Sequence, residues 1–399
     1  MNVKKTISKL LICAYALFKG FRKQHGIEKD TFVLLFFGRI GDAVMFIDAL
    51  KGYKELYIRQ KKQSIVLACR SEVWALLKSI GETDGLRFVE LTRETLSGSF
   101  SYFSGRVKAI DAENASVILN VRENNGIENI FMHALRGSSK IVHRVYPIER
   151  KSFWNRYFSE HTYTQDFRAR KETDHLTAQA ELLRKLGLTE FKSTIPVLPA
   201  VEGDPEMEPG SYVCVCPGAS VANKCWPSDR YAEVINCIHR NTKLAVVMCG
   251  GKSEQDISRM IVEGVSDKDR VFDYTGKSGM NEWIQWIRNA ALVVGNESAS
   301  IHIAAGTGTP SVCIGEQKFS DKWLPYRPEI VRPEDRIPVV VRGPRLDCDF
   351  CAQRSFKRSE ACRECIEKNG IIKCVFDVRT EEVIKAVGKE LSFPDTSVR

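Results

Sequence analysis

The chain has 399 residues, of which 43% are hydrophobic and 27% are charged, and its formal net charge is +9. This length predicts two domains, because a single hydrophobic core rarely grows beyond about 250–300 residues. The composition excludes a chain that is disordered throughout. The modest charge, without interleaved aromatic and basic residues, argues against a nucleic-acid partner.

Residues 1–30 form a basic amphipathic leader with seven lysines and arginines against two acidic residues. Its apolar run from Leu10 to Phe18 is far shorter than the roughly 20 residues that span a bilayer. Basic residues stand where a signal peptide would have its small-residue cleavage site. Two interpretations stay open: a helix lying on an anionic membrane surface, or a helix packed on its own domain.

Residues 31–195 are predicted to form a first α/β domain. A buried strand at Thr31–Phe37 leads through a tight glycine loop into a helical stretch from Ala43 to Tyr57. Further short strands are predicted at 64–68, 86–91 and 116–120. Alternating strands and helices indicate a parallel sheet with helices on both faces.

A segment rich in proline and glycine, residues 196–211, is predicted to link this domain to a second one at 212–345. The second domain begins with the strand Tyr212–Cys216, and Ser228 is a candidate N-cap of its first helix. A cysteine-rich segment is assigned to 346–375, and a C-terminal helix and tail to 376–399.

An apolar strand from Leu292 leads into Gly-Asn-Glu-Ser and then into small residues that open a short helix. The first amides of a helix have no partner inside it, and the helix dipole favours an anion there. The pattern is that of a phosphate-binding turn, although an ordinary βαβ crossover has the same sequence features.

Three motifs stand in order along the chain: residues 38–44 after the first strand, residues 216–227, and residues 292–310. Together they resemble the ADP-heptose:lipopolysaccharide heptosyltransferase family, glycosyltransferase family 9, over residues 31–390. The resemblance implies an α/β fold of GT-B architecture, with two facing Rossmann-like domains, parallel sheets and an interdomain cleft.

The resemblance also implies roles for individual residues. Asp42 would be the catalytic base, although a cap for the following helix is the alternative. The residues expected to bind the donor and its diphosphate are Ser220, Lys224, Glu254, Ser278, Glu297, Ser298, Ala299 and His302. Arg39 and Arg122 are weaker candidates for contact with an anionic acceptor. The family pattern Asn-Asp-Ser-Gly is changed here, since Glu297 replaces Asp and Ala299 replaces Gly, so the donor sugar stays open.

The expected reaction is the inverting transfer of a sugar from a nucleoside diphosphate, heptose from ADP-heptose by resemblance, to a lipopolysaccharide-core or related lipid-linked glycan. No Asp-x-Asp motif appears where a Mg²⁺–diphosphate site would need one, so we expect no cofactor in catalysis. The expected location is the cytoplasm, with peripheral contact at the inner-membrane surface. A nucleotide-sugar epimerase of similar architecture and a zinc-stabilised non-enzymatic binding protein are the alternatives.

Paired Cys-x2-Cys motifs occur near the C-terminus, at Cys348 and Cys351 and at Cys362 and Cys365. Two such pairs at this spacing can hold a structural zinc ion in tetrahedral geometry. Free thiols or a disulfide are the alternatives. The remaining cysteines are mostly scattered singly through apolar segments, as is typical of buried thiols in a reducing compartment.

Overall fold

The structure, a computed structural model, describes residues 3–21, 29–121, 126–144, 153–170, 173–203, 206–317, 322–344 and 360–393. The chain divides into two compact units, Met1–Ser193 and Thr194–Arg399. Each unit has its own parallel sheet.

The first unit alternates helices and strands along the chain. Its elements are α1 (Val3–Phe21), β1 (Lys29–Leu35), α2 (Ile40–Tyr53), β2 (Ser64–Cys69), α3 (Ser71–Ser79), β3 (Leu86–Glu90), α4 (Arg93–Gly98), α5 (Phe100–Asp111), β4 (Ala115–Asn120), α6 (Gly126–Ala134), β5 (Ser139–Arg144), α7 (Phe153–His161), β6 (Gln165–Arg168) and α8 (His175–Leu186). A π-helical segment, Lys54–Gln60, continues α2. The six strands are parallel, in the order β3-β2-β1-β4-β5-β6.

The second unit repeats this plan. Its elements are β7 (Tyr212–Cys216), α9 (Ser228–Asn241), β8 (Ala245–Met248), α10 (Gln255–Glu263), β9 (Val271–Asp273), α11 (Met280–Arg288), β10 (Leu292–Asn296), α12 (Ala299–Thr307), β11 (Ser311–Ile314), β12 (Val339–Val341), α13 (Glu360–Asn369), α14 (Lys373–Phe376) and α15 (Thr380–Glu390). The strand order is β9-β8-β7-β10-β11-β12, again all parallel.

Both sheets therefore have the doubly wound strand order. In this order, successive strands are first added on one side of the starting strand and then on its other side, and the place where this reversal occurs is the switch point. That point lies between β1 and β4 in the first unit and between β7 and β10 in the second. Open α/β sheets bind ligands beyond the carboxyl ends of the strands that flank this point. The predicted α/β fold with parallel sheets is confirmed, and its topology selects the loops after β1, β7 and β10 as candidate sites.

The leader helix α1 packs on the first unit. Ile12 and Ala16 are buried in the same apolar cluster as Phe103 and Phe131, and Lys19 forms an ion pair with Asp111. The opposite face of α1 exposes four apolar side chains, those of Ile7, Leu10, Leu11 and Phe18. Packing on its own unit is thus confirmed for one face of α1, and the apolar side chains of the other face are largely exposed. Among the described residues, no helix combines the length and hydrophobicity that crossing a membrane requires.

One local prediction is wrong. Helix α9 begins at Ser228, so Pro227 rather than Ser228 occupies the N-cap position. The ring of Pro227 fixes φ at −54°, and the Pro227 carbonyl accepts a hydrogen bond from the Tyr231 amide. The Ser228 side chain therefore takes the first helical position instead of the cap.

Candidate functional site

The loop after β1 places Asp42 at the third position of α2. Its carboxylate accepts a hydrogen bond from the Arg39 amide at 2.8 Å, as in a capping box, so the helix begins at Ile40 rather than at the predicted Ala43. Gly38 makes this turn tight, since a Cβ there would lie 2.7 Å from the Asp42 Cβ. The capping role is confirmed, and it holds a half-buried carboxylate in a fixed position at the switch point of the first sheet.

Arg39 extends into solvent beside the same loop. Its guanidinium is 3.3 Å from Glu94, and Glu94 also pairs with Arg70 after β2. The pKa of Glu94 is lowered, since the neighbouring arginines and a backbone hydrogen bond together outweigh its partial burial. Arg122, the other predicted acceptor contact, lies outside the described residues.

In the second unit, three ionisable side chains meet at the carboxyl ends of β7, β10 and β11. Lys224 follows β7, Glu297 directly follows β10, and Glu316 lies two residues after β11. The Lys224 ammonium donates to Glu316 Oε1 at 2.6 Å. The Arg342 guanidinium is held nearby by the carbonyls of Glu316 and Leu324.

Burial and, after it, the neighbouring Glu316 carboxylate raise the pKa of Glu297 to about 8, against the opposing effects of Arg342 and Lys224. A pKa of about 8 means that Glu297 is mostly protonated at neutral pH. Two acids that share a buried site seldom both ionise, because each charge repels the other. Lys224 and Arg342 bring two basic side chains to this edge of the second sheet.

Helix α12 begins immediately after Glu297. The Ser298 side chain occupies the N-cap position but makes no capping bond, and its hydroxyl lies 2.9 Å from that of Ser300. The first-turn amides, from Ala299 onward, are thus left without a side-chain cap. Within the next turn His302 is buried, with Nδ1 2.8 Å from the Tyr326 hydroxyl. Free amides at a helix start suit an anion such as a phosphate.

Glu254 lies against two glycines after β7 and β8. Its carboxylate accepts a hydrogen bond from the Gly251 amide at 2.7 Å, and a side chain at Gly218 or Gly250 would overlap it. Partial burial raises the pKa of Glu254 above its usual value. The Ser278 hydroxyl is buried without a hydrogen-bond partner among the described residues, whereas Ser220 is exposed.

The sequence interpretation missed two residues of this site. Asn296 is fully buried at the end of β10, where its side chain accepts from the Trp226 amide at 3.1 Å and donates to the Pro217 carbonyl. It therefore ties the loop that carries Lys224 to the central strand. No local sequence pattern marks Glu316, because its partner Lys224 is 92 positions away in the chain.

The predicted zinc ligands fall partly outside the described residues, which include neither Cys348 nor Cys351. Cys362 and Cys365 are buried on α13, and Asn369 contacts the Cys365 sulfur at 3.5 Å. Within the described ranges, no three His, Cys, Asp or Glu side chains are grouped as a metal site would require.

The chain is similar to known proteins in both sequence and fold. Residues 161–332 match the family model of glycosyltransferase family 9 (heptosyltransferase). Lipopolysaccharide heptosyltransferase 3 of Escherichia coli (strain K12) is 23% identical over 236 residues, which cover 57% of this chain and 66% of that protein. The match therefore spans slightly less than two thirds of that relative.

Two solved structures share the fold over nearly the whole chain. A family 9 glycosyl transferase from Veillonella parvula superposes with a TM-score of 0.65 at 16% identity, covering 93% of this chain and 99% of that one. The E. coli ADP-heptose lps heptosyltransferase II superposes with a TM-score of 0.62 at 13% identity, covering 91% and 98%. The chain is thus similar to glycosyltransferase family 9 in sequence over residues 161–332, and it shares the fold of these two enzymes over nearly its whole length.

Proposed function

We propose that the protein catalyses the inverting, metal-independent transfer of a sugar from a nucleoside diphosphate to a lipid-linked surface glycan. By resemblance, the donor is ADP-heptose and the acceptor is a lipopolysaccharide core or a related glycan. The observation that carries this proposal is the grouping of Lys224, Arg342 and the uncapped α12 amides at the switch point of the second sheet.

In this proposal, the second unit holds the leaving group. As the bond between the anomeric carbon and the diphosphate breaks, negative charge grows on the phosphate oxygens. Lys224, the first amides of α12 and His302 stabilise that charge, which is the main electrostatic task of the step. Glu254 and Ser278 bind the nucleoside, and Glu297 faces the donor sugar. Ser220 lies beside the diphosphate.

Asp42 in the first unit acts as the base. Its carboxylate takes the proton of an acceptor hydroxyl while the hydroxyl oxygen attacks the anomeric carbon, so the configuration at that carbon inverts. The hydrogen bond from the Arg39 amide fixes the carboxylate in one orientation. Arg39 and Arg122 would contact an anionic group of the acceptor.

The proposal is tested by incubating the protein with ADP-, GDP- and UDP-sugars, with and without a lipid-linked acceptor and with a metal chelator. We expect acceptor-dependent nucleotide release that survives chelation. Release without transfer, or epimerised sugar, would contradict the proposal. Asp42→Ala should abolish transfer but keep nucleotide binding, whereas Lys224→Ala should weaken binding of the nucleoside diphosphate.

We further propose that the first unit docks on a membrane surface that presents the acceptor. The outward face of α1 exposes 65% of Leu10 and 52% of Phe18, and α7 exposes 70% of Phe153. Both helices pack on α6. Exposed apolar side chains on a helix that also carries basic residues are typical of helices that lie on anionic lipid.

Sedimentation with vesicles tests this docking. Leu10→Ser and Phe18→Ser should lower binding to vesicles that contain anionic phospholipid, without loss of folding, because both side chains are exposed. Met260→Ser is the matched control, since Met260 is equally exposed but lies on α10 of the second unit. Equal binding by all three variants would contradict the docking proposal.

The four cysteines predicted to hold zinc are proposed as a structural site rather than a catalytic one. Cys362 and Cys365 lie three residues apart on α13, a spacing that places both thiols on one face of a helix. Such a site would tie the C-terminal segment to the second unit. Metal analysis of protein purified without added metal should give about one ion per chain, and a stoichiometry near zero would contradict it.

A further inference from the structure

The ion pair between Lys224 and Glu316 is only partly solvated. The Glu316 side chain is 8% exposed and that of Lys224 is 29% exposed, so the carboxylate is the buried partner and the ammonium faces outward. The short distance of 2.6 Å is that of a charge-assisted hydrogen bond. Lys224 therefore has a fixed acidic partner within the fold.

Two carboxyl oxygens near this ion pair lack hydrogen-bond partners among the described residues. Glu316 Oε2 and Glu297 Oε2 are both buried, and neither has a hydrogen-bond partner within the described part of the chain. Buried carboxyl oxygens that serve only stability are normally hydrogen-bonded, because an unpaired buried polar group is costly whether or not it is charged. We explain the unpaired oxygens of Glu316 and Glu297 by a binding site in which these acids exchange hydrogen-bond partners when a ligand binds.

A diphosphate oxygen and a carboxylate oxygen are alternative ligands for the same ammonium. If Lys224 binds the donor diphosphate, the diphosphate must approach an ammonium that already has a carboxylate 2.6 Å away. The carboxylate repels the incoming anion, and it occupies one of the three N–H donors of the ammonium. Both effects weaken the binding of the nucleotide, before and after the reaction.

We propose that Glu316 is a built-in competitor of the donor diphosphate for the ammonium of Lys224, and that it speeds release of the nucleoside diphosphate product. This inference rests on the proposed function, since it assumes that Lys224 binds the diphosphate. Glu316 is a positioning residue here, because it acts through Lys224 and through the acid beside it.

The charged neighbours give this role a pH dependence. Glu297 faces Glu316, Lys224 and Arg342, and the other titratable groups around it are Cys313 and Tyr326, which in turn contacts His302. The pKa of Glu297 is raised to about 8, so a second carboxylate appears beside Lys224 as the pH rises above that value. Nucleotide affinity should fall over the same range.

The experiment measures binding and dissociation of whichever of ADP, GDP and UDP raises the melting temperature most. Glu316→Gln, which keeps the size of the side chain, should bind about tenfold more tightly and release the nucleotide more slowly. Glu263→Gln is the control, because it also removes one negative charge but lies exposed at the far end of α10. Glu316→Asp, a second variant with the charge retained, should lie between the wild type and Glu316→Gln.

The pH profile separates this role from a merely structural one. In the wild type, affinity should fall above about pH 8, and in Glu316→Gln the fall should begin at a lower pH, because the carboxylate that raises the pKa of Glu297 is gone. Glu297→Gln should flatten the profile. These measurements run from pH 7 upward, beyond the main titration of the nucleotide itself.

The outcomes distinguish the inference from the proposed function. If Lys224→Ala binds as tightly as the wild type, the proposed diphosphate site is wrong. If Lys224→Ala binds weakly but folded Glu316→Gln binds no more tightly than Glu263→Gln, only the competitor role is wrong. An unshifted pH profile in Glu316→Gln would also overturn it.

Discussion

The close approach of Glu254 to Gly218 allows the proposed nucleoside contact to be tested without changing the carboxylate itself. A methyl group at Gly218 would overlap the Glu254 carboxylate, whereas carbon atoms normally stay about 3.5 Å or more from such neighbours. We therefore expect Gly218→Ala to push the carboxylate away and to break its 2.7 Å hydrogen bond with the Gly251 amide. Only the end of a flexible side chain has to move, so the melting temperature should change little.

We expect Gly218→Ala to lower the affinity for the nucleotide rather than the stability of the fold. If Glu254 bonds the ribose hydroxyls, its displacement removes a hydrogen bond to a charged group, worth about 1–2 kcal/mol here. That free energy corresponds to nucleotide binding that is about 5- to 30-fold weaker by isothermal titration calorimetry. Gly251→Ala is the matched control, because Gly251 has φ −78° and open space where its Cβ would lie.

A double-mutant cycle completes the test. In a Glu254→Ala background, Gly218→Ala should have no further effect on affinity, because the group that it displaces is already absent. If folded Gly218→Ala binds the nucleotide as tightly as Gly251→Ala does, Glu254 does not contact the nucleoside and the reasoning fails.

Two further predictions concern stability. Asn296→Ala should lower the free energy of unfolding by about 2–4 kcal/mol in a denaturant titration, because it leaves the Trp226 amide and the Pro217 carbonyl unpaired in the interior; a loss below 1 kcal/mol would mean that these groups find other partners. Between the unfolded glutamate pKa of about 4.3 and the folded value of about 8, the folded chain keeps a proton on Glu297 that the unfolded chain has lost. The contribution of Glu297 to stability therefore falls as pH rises through this window. Glu297→Gln should gain stability relative to the wild type between pH 5 and pH 9. If the free energies of unfolding of the two proteins instead run parallel against pH, the acid is not buried and neutral.

Much of the fold could be predicted because its central strands are continuous apolar runs. β1, β7 and β10 are buried on both faces and read as strands in the sequence. β6 could not be found in this way, since Gln165–Arg168 is polar, pairs on one side only and lies at the edge of its sheet. Edge strands depend on pairing with a neighbour more than on burial, and pairing leaves little trace in a single sequence.

The candidate site divides in the same manner. Lys224 and Glu297 stand beside recognisable turns, and the structure brings them together. Glu316 and Asn296 owe their positions to contacts with residues 70 or more positions away, so no local pattern marks them. The sequence alone does not decide whether Asp42 caps the following helix, whereas in the structure its carboxylate accepts the hydrogen bond from the Arg39 amide that defines the cap.

If α1 binds a lipid surface as proposed, its affinity for that surface depends on the folding of the first unit. The exposed apolar face is held outward only while Ile12 and Ala16 remain buried against Phe103 and Phe131. Removing the helix would uncover that part of the core, so a chain that lacks residues 1–21 would lose stability and, on this proposal, its contact with the lipid surface. Conversely, a lipid surface or a partner protein that binds folded α1 would stabilise the first unit, because it would keep Ile12 and Ala16 packed on Phe103 and Phe131.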